Sequence, residues 1–438
     1  MPWRHSDRRA ERGNGNARNG SAATHSIDDR LAEATGLARA ISLDVRAADV
    51  VPLGRPQPAT LLGSGKVEEL GALIAGHEAG LAIVDHALTP TQQRNLEKAW
   101  NCKVLDRTGL ILEIFGSRAR TREGRMQVEL AHLTYQKSRL VRSWTHLERQ
   151  RGGHGFLGGP GEAQIETDRR LIQERIDAIR RDLAVVVRTR ALHRSGRKRI
   201  PLPVAAIVGY TNAGKSTLFN RLTGAGVSAK DQVFETLDPT MRELRLPSGR
   251  RIVLSDTVGF ISDLPTALIA AFRATLEEVV EADLVLHVRD ISHPATEAQR
   301  RDVVAVLGDL GIDAEAADAH LLEVWNKADR LTPPARLEVE HAAARRNSAP
   351  VLVSALTGEG IDTLRDTVDA RLGATDEILT LEIPPDGGRL LSWLHQNAEV
   401  LEKDTADDGA VTARFRIDPQ VRGKLESQLK RAGLRTSS

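Results

Sequence analysis

The chain has 438 residues, with 61 Lys and Arg against 59 Asp and Glu and a single cysteine, a length that suits about three domains whose cores need no covalent staples. The lone Cys102 forms no intrachain disulfide, which excludes a disulfide-built secreted fold and points to a reducing compartment. No stretch approaches the roughly 20 apolar residues of a membrane span, and the N-terminus has no apolar targeting core, so a soluble cytoplasmic protein is expected.

Residues 1–26 are rich in Arg, Asn, Gly and Ser and almost free of apolar side chains, a composition that predicts a disordered polar tail. Residues 27–120 alternate short apolar runs, Leu81–Asp85 and Lys103–Asp106, with helical segments at Thr89–Trp100 and Thr108–Ser117. That order predicts a small α/β domain with a parallel sheet. Within it, Gly63-Ser-Gly-Lys66 precedes a helical stretch and reads either as a second phosphate contact or as a tight glycine turn, since it lacks the full P-loop spacing.

Residues 121–200 change character. Met126, Leu130, Leu133, Leu140, Trp144 and Leu147, and then Ile165, Ile172, Ile176, Ile179, Leu183 and Val186, recur at helical spacing, which predicts an antiparallel coiled-coil hairpin. Arms of about 30 residues would project about 45 Å. The tip, Arg151 to Gly161, is glycine-rich and carries Gly155 and the aromatic Phe156, with Arg149 and Arg151 on its flank and Arg169 and Arg170 on the returning arm. Arg188 to Arg199 reads as a basic linker. The net charge of +2 for the whole chain hides 18 Lys and Arg against 9 Asp and Glu in this window. Such a local excess points to a polyanion, and an open loop on a basic stalk suits a narrow phosphate-lined cavity. These residues are the candidate RNA contacts.

Residues 201–374 hold the nucleotide motifs. Val204–Val208 supplies a strand, and Gly209, Tyr210, Thr211, Asn212, Ala213, Gly214, Lys215, Ser216 and Thr217 follow with the spacing G-x-x-x-x-G-K-S, the loop whose N–H groups and helix N-terminus cradle phosphates. Lys215 is expected at the β/γ-phosphates and Ser216 on Mg²⁺. Asn212 reads as a cap of the turn, with a monovalent-cation ligand as the alternative.

Phe234, Glu235, Thr236, Leu237 and Asp238 form a polar loop in which Thr236, favoured over Thr240, would close on Mg²⁺ and the γ-phosphate. Asp256, Thr257, Val258 and Gly259 end the next strand, the carboxylate facing the metal shell and the Gly259 N–H the γ-phosphate. Asn326, Lys327, Ala328 and Asp329 end another strand, and Asp329 can accept from both guanine N1–H and the exocyclic amine, which adenine cannot satisfy. Ser354, Ala355 and Leu356 would offer N–H groups to the guanine carbonyl. Four short strings in this order, each at a strand end, imply GTP rather than ATP. Phe260 stands where many such enzymes carry a water-orienting glutamine, so no catalytic side chain is assigned and slow intrinsic hydrolysis is expected, with a partner worth roughly 10³ to 10⁵ in rate.

Gly209–Ser216, Phe234–Thr240 and Asp256–Phe260, preceded by Gly158-Gly-Pro-Gly-Glu-Ala-Gln-Ile-Glu-Thr-Asp-Arg-Arg170, closely resemble the HflX GTPases, and Gly63–Leu70 and Gln92–Leu96 are similar to the N-terminal domain of that family. The resemblance spans roughly residues 61–372. It implies a GTPase that binds the large ribosomal subunit and its rRNA, places its hairpin tip near the peptidyl-transferase centre and splits or rescues stalled ribosomes under stress. It also implies ATP binding, with a secondary ATPase activity, in the N-terminal domain, with Gly63–Lys66 as the contact here. An alternative class is an RNA-binding assembly or hibernation factor in which nucleotide only sets affinity. Ala163 stands where the family usually has Thr, and the polar tail stands in place of the family's first apolar strand, which bears on the N-terminal sheet edge. Residues 375–438, with strands at Ile378–Ile383 and Ala410–Ile417, predict a small C-terminal α/β domain, and a monomer is the default.

Overall fold

The computed structural model describes residues 25–150, 160–197, 202–224, 234, 240–262, 276, 278–313, 320–346, 348–373, 377–406, 409–417 and 419–431. It is a mixed α/β protein in which an N-terminal region of helices around a small sheet, a helical hairpin, a P-loop domain and a C-terminal domain follow in chain order.

Helix α1 (Ile27–Ala40) starts with a capping box, in which the Ser26 hydroxyl accepts the Asp29 N–H at 3.0 Å and Asp29 accepts from the Ser26 N–H. Helix α2 (Ser64–Gly76) leads to β1 (Leu81–Val84), and α3 (Pro90–Trp100) to β2 (Lys103–Asp106), which pairs parallel with β1. Helix α3 combines Pro at its first turn with a Thr89/Gln92 capping box, two local signals that fix its start. Asp106 caps α4 (Arg107–Arg118) through the Gly109 N–H at 2.8 Å.

The hairpin consists of α5 (Arg122–Gln150) and α6 (Pro160–Arg197). Three details differ from the periodicity reading. Helix α6 runs without a break through Arg188, Arg190 and Arg194 to Arg197, so the expected basic linker is helical there, because nothing from Arg188 to Arg194 breaks a helix. Pro160 and Gly161, read as tip, begin the same helix, Pro being preorganised for a first turn. The seam is also not the only buried stripe: Ile176 and Ile179 are buried, but Met126, Leu130 and Leu133 are only partly so, while Val128 and Ala131 are buried in a core shared with α1 and α4. The root of α5 therefore serves the domain core as well as its partner helix.

Six strands form the central sheet among the described residues, in the order β4 (Thr240–Arg245), β5 (Arg251–Asp256), β3 (Val204–Gly209), β6 (Leu284–Asp290), β7 (Leu321–Asn326), β8 (Val351–Leu352). All pairings are parallel except β4 with β5. Helices α7 (Lys215–Thr223) and α10 (Ile361–Leu372) cover one face, whereas α8 (Thr296–Asp309) lies on the other, and α9 (Pro333–Ala344) links β7 to β8. That second face also receives the N-terminal region: Leu37, Leu110 and Phe115 share one buried cluster with Val208, Val258 and Phe260. β6 is buried at every position, as expected of a central parallel strand covered on both sides.

The C-terminal part adds an antiparallel sheet, ordered β10 (Glu399–Thr405), β11 (Val411–Ile417), β9 (Glu377–Ile383), backed by α11 (Gly388–Asn397) and α12 (Pro419–Arg431). Two strands were expected there. The third, Glu399–Thr405, is a polar edge strand without the apolar alternation that betrays the others.

Candidate functional site

The motifs from the middle of the chain meet at the C-terminal end of the central sheet, where ligands bind in open parallel sheets. β3 ends in Gly209, and a Cβ there would lie 2.2 Å from the Val288 carbonyl oxygen, so only glycine lets the loop leave between β3 and β6. Gly214 has φ +90°, and a Cβ on it would lie 2.3 Å from Asn326 Nδ2. The closeness is used: Asn326 Nδ2 donates to the Ala213 carbonyl at 2.9 Å, and its Oδ1 accepts the Ala355 N–H at 3.0 Å. One side chain thus ties the phosphate loop to both later motifs. Asn212 is exposed with φ 62°, a left-handed conformation that asparagine tolerates.

Lys215 is buried, and its ammonium donates to the Tyr210 carbonyl at 2.8 Å, spanning the loop. Ser216 Oγ donates to Asp256 Oδ2 at 2.9 Å, which brings together two hard oxygen donors from motifs forty residues apart. Thr257 is fully buried and donates to the Ile207 carbonyl at 2.6 Å, fixing the end of β5 against β3. Thr217 is half-buried in the first turn of α7.

The segment after Asp256 lies directly on the P-loop. Thr211 N–H donates to the Phe260 carbonyl at 2.7 Å, and Phe260 N–H donates to the Gly209 carbonyl at 3.1 Å. A Cβ on Gly259 would sit 2.9 Å from Lys215 Nζ. Phe260 is 1% exposed and belongs to the cluster shared with the N-terminal region, so its side chain is committed to packing.

At the far end of the site, Asp329 lies in a single 3-10 turn (Ala328–Arg330) and accepts the Ser354 hydroxyl at 2.5 Å. Ala328 N–H donates to the Val353 carbonyl at 3.1 Å, so the two loops are locked together. Arg221, at the end of α7, donates to the Ala355 carbonyl at 3.1 Å and to the Leu356 carbonyl. Leu356 is 70% exposed. Lys327 pairs with Asp290 at 2.8 Å.

Several residues outside the motifs reach the site. Glu33 on α1 accepts from the Tyr210 hydroxyl, from the Ser262 hydroxyl at 2.8 Å and from Arg107 Nη2, while Ser262 N–H donates to Tyr210 Oη at 2.8 Å. Arg107 also donates to Asp85 at 2.5 Å and to the Ser262 carbonyl at 2.7 Å. Burial opposes the Arg107 charge, but Asp85 and Glu33 outweigh it and hold its pKa above the usual guanidinium value. Burial, with the Glu33 charge beside it, pushes the Tyr210 phenol well above its ordinary range, so it stays protonated as a donor. Phe234 has φ 56°, is buried, and meets Phe115 of α4 edge to face at 4.7 Å. Nothing in local sequence marks Glu33, Arg107, Ser262, Phe115 or Arg221; a carboxylate closing β6 was the one findable signal, for Asp290.

Of the expected metal and loop residues, Glu235, Thr236, Leu237 and Asp238 lie outside the described residues, as do Arg151, Gly155 and Phe156 of the tip. Arg149 is in the helical backbone of α5; Arg169 and Arg170 are exposed on α6, Arg170 facing Glu174 at 3.7 Å. No described helix is long and apolar enough to cross a membrane.

Comparison with known proteins extends over the same regions. Residues 204–327 match the family model for a 50S ribosome-binding GTPase, 28–116 and 118–197 those for the N-terminal and middle regions of a GTP-binding GTPase, and 338–436 that for the HflX C-terminal domain. The GTPase HflX of Magnetococcus marinus is 52% identical over 404 residues, covering 92% of this chain and 91% of that one. The GTPase HflX of Escherichia coli is 44% identical over 384 residues, with 86% and 87% covered. Among solved structures, a GTP-binding protein of Sulfolobus solfataricus in complex with GDP is 23% identical, covering 78% of this chain and 95% of that one, at a TM-score of 0.42.

Proposed function

The chain belongs to the HflX family of GTPases, and from that premise we propose that it hydrolyses GTP to GDP and phosphate on the large ribosomal subunit, coupling the cycle to splitting or rescue of stalled ribosomes under stress. The observation that carries this reading is the convergence at one sheet end of a phosphate loop, the Ser216–Asp256 oxygen pair and the Asp329 carboxylate held by Ser354, with Asn326 tying the phosphate loop to Ala355. Asp329 would read guanine, the Ala355–Leu356 backbone its carbonyl, and Lys215 the β/γ-phosphates once it exchanges the Tyr210 carbonyl for them.

Two hard oxygens 2.9 Å apart fit Mg²⁺, with Ser216 and Thr236 as protein ligands and Asp256 accepting from its waters. Bound there, the ion would neutralise charge developing between the β- and γ-phosphates. The protein's own part is to hold the γ-phosphate and the groups around it in place. Phe260 cannot orient the attacking water, so the subunit supplies the missing group or the conformational change. The basic hairpin would carry its tip, with Arg149, Arg151, Gly155, Phe156, Arg169 and Arg170, to rRNA. The protein acts in the cytoplasm as a monomer.

A secondary ATPase activity would use the start of α2, where Gly63 leaves the helix N-terminus without a side-chain cap, although Lys66 is engaged by Glu69 at 2.7 Å. The burial of Phe260 favours one competing reading, an assembly or hibernation factor in which nucleotide sets affinity and turnover is incidental. GTP turnover with and without large subunits, repeated with the tip from Gly152 to Gly161 shortened, separates the two. Strong stimulation lost on shortening supports the coupled enzyme; tight subunit binding without stimulation supports the competitor.

A further inference from the structure

Asp290 closes β6 outside every nucleotide-binding motif, and its two oxygens are divided between two tasks. Oδ1 accepts the Ser292 N–H at 3.0 Å and the Ser292 hydroxyl at 2.6 Å, while Oδ2 takes the Lys327 ammonium at 2.8 Å. Both partners of the ion pair are largely shielded, with side chains 17% and 10% exposed. The carboxylate is therefore fixed by its own turn before it takes the lysine.

Lys327 is held from the other side as well. Asp290 stands opposite Asn326 in the β6–β7 register, Ile291 N–H donates to the Asn326 carbonyl at 3.1 Å, and Lys327 itself adopts φ 66°. Its Cε lies 4.0 Å from the position of a Cβ built on Gly214, so its methylene stem passes beside the last glycine of the phosphate loop. Anchored at the ammonium, the stem runs beside the phosphate loop in the segment that leads to Asp329. A lysine free to rotate would have to be ordered by the ligand, and that lost rotamer freedom weakens binding.

We propose that Asp290 is a positioning residue for nucleotide binding, a tether that pre-orders Lys327 so that its stem walls the nucleoside pocket. The proposal rests on the guanine-nucleotide reading given above. Asp290 touches no reacting atom in this scheme, and its effect passes entirely through Lys327. It should therefore appear in affinity and not in turnover at saturation.

The experiment is titration of the full chain with fluorescent mant-GDP and mant-ADP, for wild type, D290N, K327M and the double variant, with GTP turnover at saturation and a thermal melt for each. D290N keeps an acceptor for Ser292 and removes the charge. The expected result is about tenfold weaker mant-GDP binding by D290N with unchanged saturated turnover, at least as large a loss in K327M, and no further loss in the double variant. Wild-type affinity in D290N, or a full additional loss when D290N is added to K327M, would overturn the tether. Should D290N melt early, K327M alone decides: wild-type affinity there also overturns it. A wild-type protein indifferent between mant-GDP and mant-ADP would overturn the guanine reading and the proposal with it, whereas tight mant-GDP binding untouched by D290N overturns the proposal alone.

Discussion

The hydroxyl of Tyr210, second residue of the phosphate loop, donates to the carboxylate of Glu33, a residue 177 positions earlier on α1. The same oxygen accepts the Ser262 N–H at 2.8 Å, so one phenol joins the N-terminal region, the P-loop and the segment that follows Gly259. Replacing it with Y210F leaves the Ser262 N–H without its acceptor, at a cost of about 1–3 kcal/mol. The expected outcome is a lower melting temperature, faster amide exchange across residues 256–262 and severalfold faster basal GTP turnover, because that segment is freed from its clamp.

Arg107 serves the same junction through charge. With its side chain 7% exposed between Glu33 and Asp85, its removal strands two shielded carboxylates. R107A should cost about 3–5 kcal/mol, as for other broken buried pairs. The double variant R107A/E33A should recover part of that loss, because one stranded charge goes with it; urea unfolding of both variants measures the difference.

Gly214→Ala would demand a side chain at φ +90° with its Cβ 2.3 Å from Asn326 Nδ2. Asn326 must then give up the bonds that tie Ala213 and Ala355 together. GDP affinity should fall by about a hundredfold or more, read by titration, since both phosphate and base loops lose their common anchor.

Asp329→Ala removes the acceptor held by the Ser354 hydroxyl at 2.5 Å. Preference for GTP over ATP should drop by at least about a hundredfold in competition binding, because sites built on such bonds discriminate through them.

His287 is 1% exposed on β6, and burial lowers its pKa from 6.5 to about 3. Below pH 6.5 the unfolded chain binds a proton there that the folded chain refuses, so stability is full above 6.5 and declines toward pH 3, by about 1.4 kcal/mol per pH unit. Glu323 adds to this at lower pH: burial opposes its charge, but Arg289, Arg300 and Arg346 hold its pKa down to about 2, so its contribution is lost as pH falls from 4.5 toward 2. H287L should flatten the stability profile between pH 6.5 and 5, where Glu323 remains ionised in both states, and leave the steeper acid limb.

The phosphate loop, the strand-end motifs and the hairpin were legible because each depends on neighbours in sequence. Gly214, Lys215 and Ser216 act within one turn, and the seam of α5 and α6 repeats at helical spacing. The polar strand β10 was hidden because its edge position relieves it of any apolar alternation. Arg188 to Arg197 look like a linker because their dense positive charge masks an ordinary helix propensity.

What the sequence alone determined is the chemistry on offer: a strand, a glycine-rich turn and a helix start, followed in order by the carboxylates and amides that suit a guanine nucleotide. What only the tertiary structure decided is what those groups are tied to. Glu33 and Arg107 look like solvated charges in their own helices, and Phe234 and Phe115 like unrelated aromatics, until packing of α1 and α4 on the sheet buries them together. The reason is physical: a buried charge or ring must be matched by whatever the fold brings beside it, and these partners are separated in the chain by distances over which no local pattern carries information.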